Sequence, residues 1–269
     1  SSRVNSGMTV LQNGSNVQTR NREEGFCYDV LNRLVKTSAT KNPVCGSAAN
    51  DVTYDGLGNI KSKANMNSGA AYEYDRTNGG AHAVTKIGAT TYKYDANGNM
   101  INEMGSGSTL GDRAFTYTSY DMVETITRNN KKVEFKYGPD RSRWQRVDSV
   151  IGSNVATTTT YLGSVERIDK SDESFIEWKR NVAGVLITYK TSKAPAANES
   201  HLTLLDANKS YLYHDHLGSV ELVTNVEGTP THSMGFDPWG ARREGDSNDI
   251  RAWGETVNKT SSVVLSEVV

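Results

Sequence analysis

Two histidines on either side of an aspartate, His214 and His216, are the residues of this sequence best placed to bind a metal ion. Residues two apart on a β-strand point to the same face, so both imidazoles could bind one ion. A third ligand would have to come from His201, His232 or an acidic residue elsewhere. Because Asp215 is also explained by the turn pattern described below, structural hydrogen bonding is favoured over a metal site. The sequence therefore predicts no metal and no cofactor.

A second candidate chemistry is cleavage of a polysaccharide by elimination. Tyr213 or His214 could act as the base, and Arg242 and Arg243 could neutralise a uronate. Many β-proteins contain these residue types without bringing them together. The sequence carries no nucleophile-elbow, P-loop, dinucleotide-binding or zinc-binding motif. An enzyme is therefore not favoured, and a lyase is kept as an alternative.

The basic and aromatic segment from Asp140 to Arg146 (DRSRWQR) could bind phosphate, acidic sugar or single-stranded nucleic acid. The whole chain, however, carries 30 Lys+Arg against 31 Asp+Glu, a net charge of −1. This balance gives no electrostatic reason to expect nucleic acid or an anionic membrane as partner. No apolar run approaches the ~20 residues of a membrane span. Arginines on the solvated face of a strand are the favoured interpretation.

The two cysteines, Cys27 and Cys45, have a spacing that matches no metal or redox motif. Free or buried thiols are favoured over a disulfide, and the pairing stays open. The cysteines therefore do not indicate a cellular compartment.

A recurring Tyr-Asp pair indicates the elements that position these residues. It occurs five times, with successive aspartates 26, 20, 20 and 26 residues apart. The pairs are Tyr28-Asp29, Tyr54-Asp55, Tyr74-Asp75, Tyr94-Asp95 and Tyr120-Asp121. Spacing this regular is typical of repeat architectures.

A second pattern, Asp-x-x-Gly, overlaps the first and predicts hairpin turns. Asp is favoured at the first position of a type I turn, where its carboxylate accepts bonds from backbone amides. Gly three residues later suits the left-handed backbone that closes the hairpin. The predicted turn residues are Asp29, Asp55, Gly58, Asp95, Gly98, Asp215, Gly218, Asp237 and Gly240, with Asn32 in place of Gly after Asp29. The segments between turns alternate as strands do, and no helix is predicted.

These motifs resemble the bacterial Rhs (rearrangement hotspot), or YD-repeat, family. The resemblance is carried by Tyr54–Ile60 (YDGLGNI), Tyr94–Met100 (YDANGNM), Tyr137–Arg143 (YGPDRSR), Asp215–Val220 (DHLGSV) and Phe236–Arg243 (FDPWGARR). The last two resemble the start of the Rhs repeat-associated core. Teneurins and the C components of insecticidal toxin complexes share this architecture.

The resemblance implies an all-β fold of consecutive antiparallel β-hairpins that form a curved or spiralling sheet, part of an Rhs-type shell. We expect a single repeat-built body over residues 1–269. Within it, residues 28–140 carry clear YD repeats, 141–205 less regular strands, 206–243 the core-like motif and 244–269 a truncated tail.

The implied function is that of a shell segment that encapsulates a C-terminal polypeptide cargo, usually a toxin, and helps to deliver it. The implied partners are the rest of the same polypeptide and the enclosed cargo, with association of an edge strand with another chain as a further expectation. The implied location is secreted or on the bacterial cell surface. A self-cleavage role is not carried over, because the single Asp-Pro-x-Gly, at residues 237–240, is followed by Ala241. The alternative from another class is a cell-surface adhesion or glycan-binding module.

Overall fold

The computed structural model describes residues 2–12, 16–38, 43–46, 51–64, 69–105, 112–215, 217–236, 238–240 and 242–244. Every regular element within these residues is a β-strand. The all-β prediction is therefore confirmed. The described part of the chain contains no helix long and apolar enough to cross a membrane.

The strands follow one another along the chain with short connections. They are β1 (Ser2–Gln12), β2 (Asn16–Tyr28), β3 (Leu34–Ser38), β4 (Val52–Tyr54), β5 (Ile60–Lys63), β6 (Tyr72–Glu73), β7 (Lys86–Ile87), β8 (Thr90–Tyr94), β9 (Met100–Gly105), β10 (Arg113–Tyr117), β11 (Val123–Arg128), β12 (Lys131–Tyr137), β13 (Arg143–Val150), β14 (Ala156–Leu162), β15 (Val165–Lys170), β16 (Phe175–Val182), β17 (Val185–Ser192), β18 (Leu204–His214), β19 (Val220–Thr224), β20 (Pro230–Phe236) and β21 (Arg242–Glu244).

The strands belong to two compact units. Of the described residues, the first unit contains those up to Thr90 and those from Thr229 onward, and the second contains those from Thr91 to Gly228. The predicted single body over 1–269 stays a prediction, because residues 245–269 lie outside the described part.

In the first unit, β1, β2 and β3 form one antiparallel sheet and β4 and β5 form another. The amide of Asp51, just before β4, donates to the carbonyl of Val35 on β3 at 2.8 Å. Val35, Val52 and Cys27 are buried. The two sheets are therefore joined by backbone bonding at β3.

Cys27 and Cys45 form a disulfide in this unit, with their Cα atoms 5.6 Å apart. The preference for free thiols was therefore wrong. The segment 43–46 brings Cys45 back to the end of β2, within the Cα separation that a disulfide requires. Spacing along the sequence could not show this return of the chain.

In the second unit, β8 to β19 lie side by side in the order of the sequence. Each neighbouring pair from β9 to β19 is antiparallel, as consecutive hairpins require. Bulges interrupt the register next to turns, for example between Thr116 and Tyr117 and between Lys136 and Tyr137. A sheet of this topology is built entirely from contacts between neighbours along the chain.

The sheet of the second unit is one layer thick for most of its width. All six residues of β15 are half-buried, as are the first six of β14. A sheet covered on one side would instead alternate buried and exposed residues. Both surfaces of these strands therefore remain partly open to solvent.

The apolar residues change face along this sheet. Phe115, Ile126 and Val133 are directly opposite one another on β10, β11 and β12 and lie on what we term face 1. When the paired residues are followed from β12 through β13, β14 and β15 to β16, Ile176 and Trp178 fall on the opposite face, which we term face 2. Each face therefore has an apolar stretch over part of the sheet only.

Candidate functional site: the row of hairpin turns

The turn that begins at Asp55 shows how the Asp-x-x-Gly pattern folds. The amide of Gly58 donates to the carbonyl of Asp55 at 3.1 Å, and the amide of Asp55 donates to the carbonyl of Asn59 at 2.9 Å. The Asp55 Oδ1 atom accepts from the amides of Leu57 and Asn59, both at 2.8 Å. The carboxylate thus satisfies two amides that the tight turn leaves without a backbone partner.

The same arrangement recurs at the other predicted turn aspartates that the structure describes. Asp29, Asp95 and Asp215 each accept from the amides two and four residues later, at 2.8–2.9 Å. Gly98 and Gly218 have φ of 88° and 86°. Asp237 lies outside the described residues, and Gly240 has φ of 84°.

These hydrogen bonds lower the pKa of the turn carboxyls. The amide of Arg33 is the main cause of the low pKa of Asp29, and the side chain of Asn99 is the main cause for Asp95. At Asp55, burial raises the pKa, but the bonds from Asn59 outweigh it and the net pKa is lowered. Asp29, Asp55 and Asp95 are therefore held ionised by the turn itself and are poor proton donors.

At three turns, the residue after the glycine position links the turn to the next turn or loop, and we term these residues, Arg33, Asn59 and Asn99, connectors. Arg33 donates from Nε to Asp29 Oδ2 at 2.7 Å and from Nη1 to the carbonyl of Asp55 at 3.3 Å. Arg33 also lies over the ring of Tyr54, with its Cζ 4.5 Å from the ring centroid. One side chain therefore ties together two consecutive turns and the repeat tyrosine.

Asn59 is the second connector of the first unit. Its Nδ2 donates to Asp55 Oδ2 at 2.9 Å and to the carbonyl of Ala81 at 3.0 Å. Its Oδ1 lies 2.6 Å from Nδ1 of His82. Asn59 therefore uses both ends of its amide to hold its own turn against the following loop.

Asn99 has the same role in the second unit. Its Nδ2 donates to Asp95 Oδ2 at 3.0 Å and to Asp121 Oδ1 at 2.8 Å. Asn97 donates to the same Asp121 oxygen at 2.9 Å. The recurrence of Asn at both Asn59 and Asn99 was the signal that could have identified the connectors.

The repeat tyrosines link neighbouring hairpins a second time. The hydroxyls of Tyr54, Tyr74, Tyr117 and Tyr137 donate to the carbonyls of Leu34, Ile60, Met100 and Val123 at 2.7, 2.9, 2.8 and 2.6 Å. Each acceptor is the first residue of the strand that leaves the preceding turn. Burial raises the pKa of these hydroxyls at Tyr54, Tyr117 and Tyr137, which keeps them protonated as donors.

The fifth Tyr-Asp pair does not occupy the repeat positions. In the turn 118–122, Thr118 stands where the aspartate is expected, and its Oγ1 accepts from the amide of Met122 at 3.1 Å. Asp121 stands at the glycine position with φ of 61°. The repeat tyrosine is therefore Tyr117, and Tyr120-Asp121 matches the motif by composition but is shifted by three residues.

The residues proposed for elimination chemistry lie at the end of β18 and the start of β21. Tyr213 and His214 end β18, with Tyr213 47% exposed, and Arg242 begins β21 in the other unit. His216 lies outside the described residues, so the His214–His216 pair cannot be placed. The described residues hold no group of three or more metal-binding side chains. The side chain of His201 lies close to that of Glu199, and the side chain of His232 lies close to that of Thr231.

Comparison with known proteins points to one family. The sequence profile described as Teneurin YD-shell matches residues 3–154. Two curated relatives are the tRNA3(Ser)-specific nuclease WapA of Bacillus spizizenii, 23% identical over 229 residues, and the tRNA nuclease WapA of Bacillus subtilis strain 168, 24% identical over 227 residues. Each match covers 82% of this chain and 8% of the relative. The chain therefore spans less than a tenth of the length of these relatives.

Two solved structures also resemble the chain. One is a Photorhabdus luminescens Tc holotoxin pore with a substitution in TccC3, at 13% identity and a TM-score of 0.39, covering 88% of this chain and 16% of that chain. The other is the TcdB2-TccC3-Cdc42 crystal structure, at 14% identity and a TM-score of 0.42, covering 85% of this chain and 14% of that chain.

Proposed function

The chain belongs to the Teneurin YD-shell family, and on that premise we propose that its segment of shell wall encloses a polypeptide cargo and helps to deliver it. The cargo would be the C-terminal part of the same polypeptide, as the YD-repeat resemblance implies. The role of this chain is structural, and the mechanism of the proposed function is confinement. A closed wall keeps a cargo away from solvent and from its targets until release.

The single-layered sheet of the second unit is the observation that carries the proposal. Strands such as β14 and β15 are half-buried on both faces. A wall needs one surface toward its contents and one toward solvent, and a single layer supplies both. Between β8 and β12, Asn99 and the hydroxyls of Tyr117 and Tyr137 add bonds between neighbouring hairpins.

Secretion of the polypeptide into an oxidising environment is consistent with the proposed function. The disulfide between Cys27 and Cys45 is of the kind that forms and persists in secreted and cell-surface proteins. The disulfide supports the proposal that the whole polypeptide is secreted or lies on the bacterial cell surface.

Nuclease activity is not part of the proposed function of this chain. The matched region amounts to 8% of each relative that is named a tRNA nuclease. The turn aspartates, which are the recurring acidic residues here, are engaged by backbone amides. The function proposed for this chain is to form part of the shell wall.

Electron microscopy of the complete polypeptide that contains this chain tests the proposal. We expect a wall one sheet thick around a lumen that holds density for the cargo. Limited proteolysis should leave the cargo intact until the wall is denatured, whereas the cargo expressed alone should be cut at once. A solid particle without a lumen, or a cargo cut equally fast in both preparations, would refute the shell.

A glycan-binding module is the second candidate, favoured by aromatic side chains on face 2. Trp178 and Tyr189 stack with a centroid distance of 5.9 Å, and Arg167 lies 6.0 Å from the Trp178 ring. Such rings can pack against sugar faces. Binding of the purified chain to a glycan array, abolished by Trp178→Ala, would support this candidate, and an array without signal would remove it.

A further inference from the structure

One cysteine of the disulfide in the first unit is exposed to solvent and the other is buried. Cys45 is exposed, and so is its neighbour Val44, at 76%. Cys27, near the end of β2, is only 2% exposed. Thiol–disulfide exchange requires an incoming thiolate to reach one of the two sulfurs. A thiol from solvent can therefore attack the Sγ of Cys45 and not that of Cys27.

Reduction of this bond needs two molecules of a low-molecular-weight thiol. The thiolate of the first molecule bonds to the Sγ of Cys45, the bond between Cys45 and Cys27 breaks, and Cys27 leaves as a thiolate that takes up a proton. The thiolate of the second molecule attacks the sulfur of the first in this mixed disulfide, so that Cys45 leaves as a thiolate and is protonated in turn. The cysteine pair gains two electrons and two protons, and the two thiols are oxidised to one disulfide.

The bridge lies in the part of the first unit where its two sheets meet. The amide of Asp51 donates to the carbonyl of Val35 at 2.8 Å, and the hydroxyl of Tyr54 donates to the carbonyl of Leu34 at 2.7 Å. We term these two bonds, which join β3 to the β4–β5 sheet, the seam. β3 and β4 belong to different sheets, so the seam has no ladder of paired residues. In the second unit, by contrast, β16 and β17 pair along their full length.

The bridge ties the connection between β3 and β4 back to β2. Cys27 is opposite Lys36 on β3. Cys45 lies on the segment 43–46, which precedes Asp51 and the seam. The bridge therefore closes a loop across 18 residues that contains all of β3. A loop of this length favours the folded form by about a hundredfold in the folding equilibrium constant.

Resting on the proposed function, we propose that thiols of a reducing compartment cleave the Cys27–Cys45 bridge and that this cleavage opens the wall in the first unit. An oxidising environment keeps the bridge formed, whereas the inside of a cell supplies glutathione, a thiol of the required class. The second unit stays folded, because both cysteines of the chain are in the first unit. Opening is thereby coupled to arrival of the polypeptide in a reducing compartment.

Reduction of the purified 269-residue chain under native conditions tests the inference. Millimolar glutathione at neutral pH is the probe, and after its removal the free thiols are counted with a thiol-reactive dye in the absence of denaturant. We expect both cysteines to react. Hydrogen exchange of the amides of β3, β4 and β5 should become about a hundredfold faster on reduction, whereas exchange in β16 and β17 should change by less than about threefold.

The double variant with Cys27→Ala and Cys45→Ser is the matched control. It contains no other cysteine, so its exchange rates should not respond to glutathione. A response of this variant would show that glutathione acts elsewhere than at the bridge and would overturn the inference. The oxidised and reduced forms of the unmodified chain have one sequence, so their comparison decides the matter even if the double variant does not fold.

Three further results would overturn the inference. One is a bond that glutathione reduces only after urea has unfolded the first unit. The second is a bond that is reduced under native conditions without faster exchange in β3, β4 and β5, which would make the bridge dispensable for the seam. The third is exchange that becomes equally faster in β16 and β17, which would indicate general unfolding instead of opening in the first unit.

The complete polypeptide separates this inference from the shell itself. Glutathione should make the enclosed cargo accessible to a protease that cannot reach it in the oxidised particle. A wall with a lumen whose cargo stays protected after the bridge has been reduced refutes this inference alone. A solid particle without a lumen refutes the shell, whatever the thiol does.

Discussion

Adding one methyl group at two positions of the same turn should have opposite effects on stability. Gly58 closes the turn of Asp55 with φ of +89°, and an added Cβ would meet no heavy atom within 4 Å. The cost of Gly58→Ala is therefore one of backbone conformation, about 1–2 kcal/mol. Gly56 also has open space for a Cβ but has no left-handed φ. Gly56→Ala should be neutral or stabilising by about 0.4–1 kcal/mol, because it restricts the unfolded chain.

Hydrogen exchange of the amides of β4 and β5, the strands on either side of this turn, measures the difference in stability between the two variants. A separation of about 2 kcal/mol between the two variants corresponds to an exchange rate about thirtyfold faster in Gly58→Ala than in Gly56→Ala. The amides of β16 and β17 in the second unit serve as the internal reference and should be unchanged. Equal exchange rates in the two variants would refute the assignment of Gly58 as the residue that the turn conformation requires.

Four further outcomes are expected from urea unfolding and related measurements. Cys45→Ser should lower the stability of the first unit by about 3 kcal/mol, the loop entropy for a bridge across 18 residues, and an unchanged midpoint would contradict the bridge. Tyr117→Phe removes the hydroxyl bond to the preceding hairpin and should cost about 1 kcal/mol, whereas Tyr213→Phe at an exposed position should cost nothing measurable. Asn99→Ala should cost about 1 kcal/mol and raise the pKa of Asp121, which NMR titration would detect; an unshifted Asp121 would exclude the connector bond. The turn aspartates have a folded pKa below the unfolded one, so their contribution is present above about pH 3.9 and is lost as the pH falls through the folded values. The urea midpoint should therefore be flat between about pH 5 and 7 and fall below about pH 4, and a midpoint constant down to about pH 3 would contradict this.

The sequence predicts local turn chemistry well because that chemistry is local. Asp55 and Gly58 lie three residues apart, and every partner of the carboxylate is within four residues. The same locality makes Tyr120-Asp121 misleading. Thr118 can replace the aspartate as acceptor, and Asp121 tolerates the left-handed backbone, so the motif letters recur at shifted positions.

Contacts between repeats were not predictable in the same way. Asn99 reaches Asp121 across 22 residues, and its partner is decided by the side-by-side placement of two turns. Pairing of Cys45 depends likewise on the path of the connection before β4. The position of the apolar stretch on face 1 likewise required the strand register, because the bulges beside the turns break simple alternation.

The connectors make the loops at one end of the strands less tolerant of insertions than the loops at the other end. A connector works only if its turn has five residues and the next turn follows at a fixed place, as Asn99 and Asp121 show. The loops at the opposite ends of the strands vary in length from two residues at 129–130 to eleven residues at 193–203. An insertion in the turn of Asn99 would break its bond to Asp121 in the next turn, whereas an insertion at the opposite ends of the strands alters a single loop. We therefore expect loop lengths to vary in evolution mainly at the strand ends without connectors. Tags or labels should be tolerated best in those same loops.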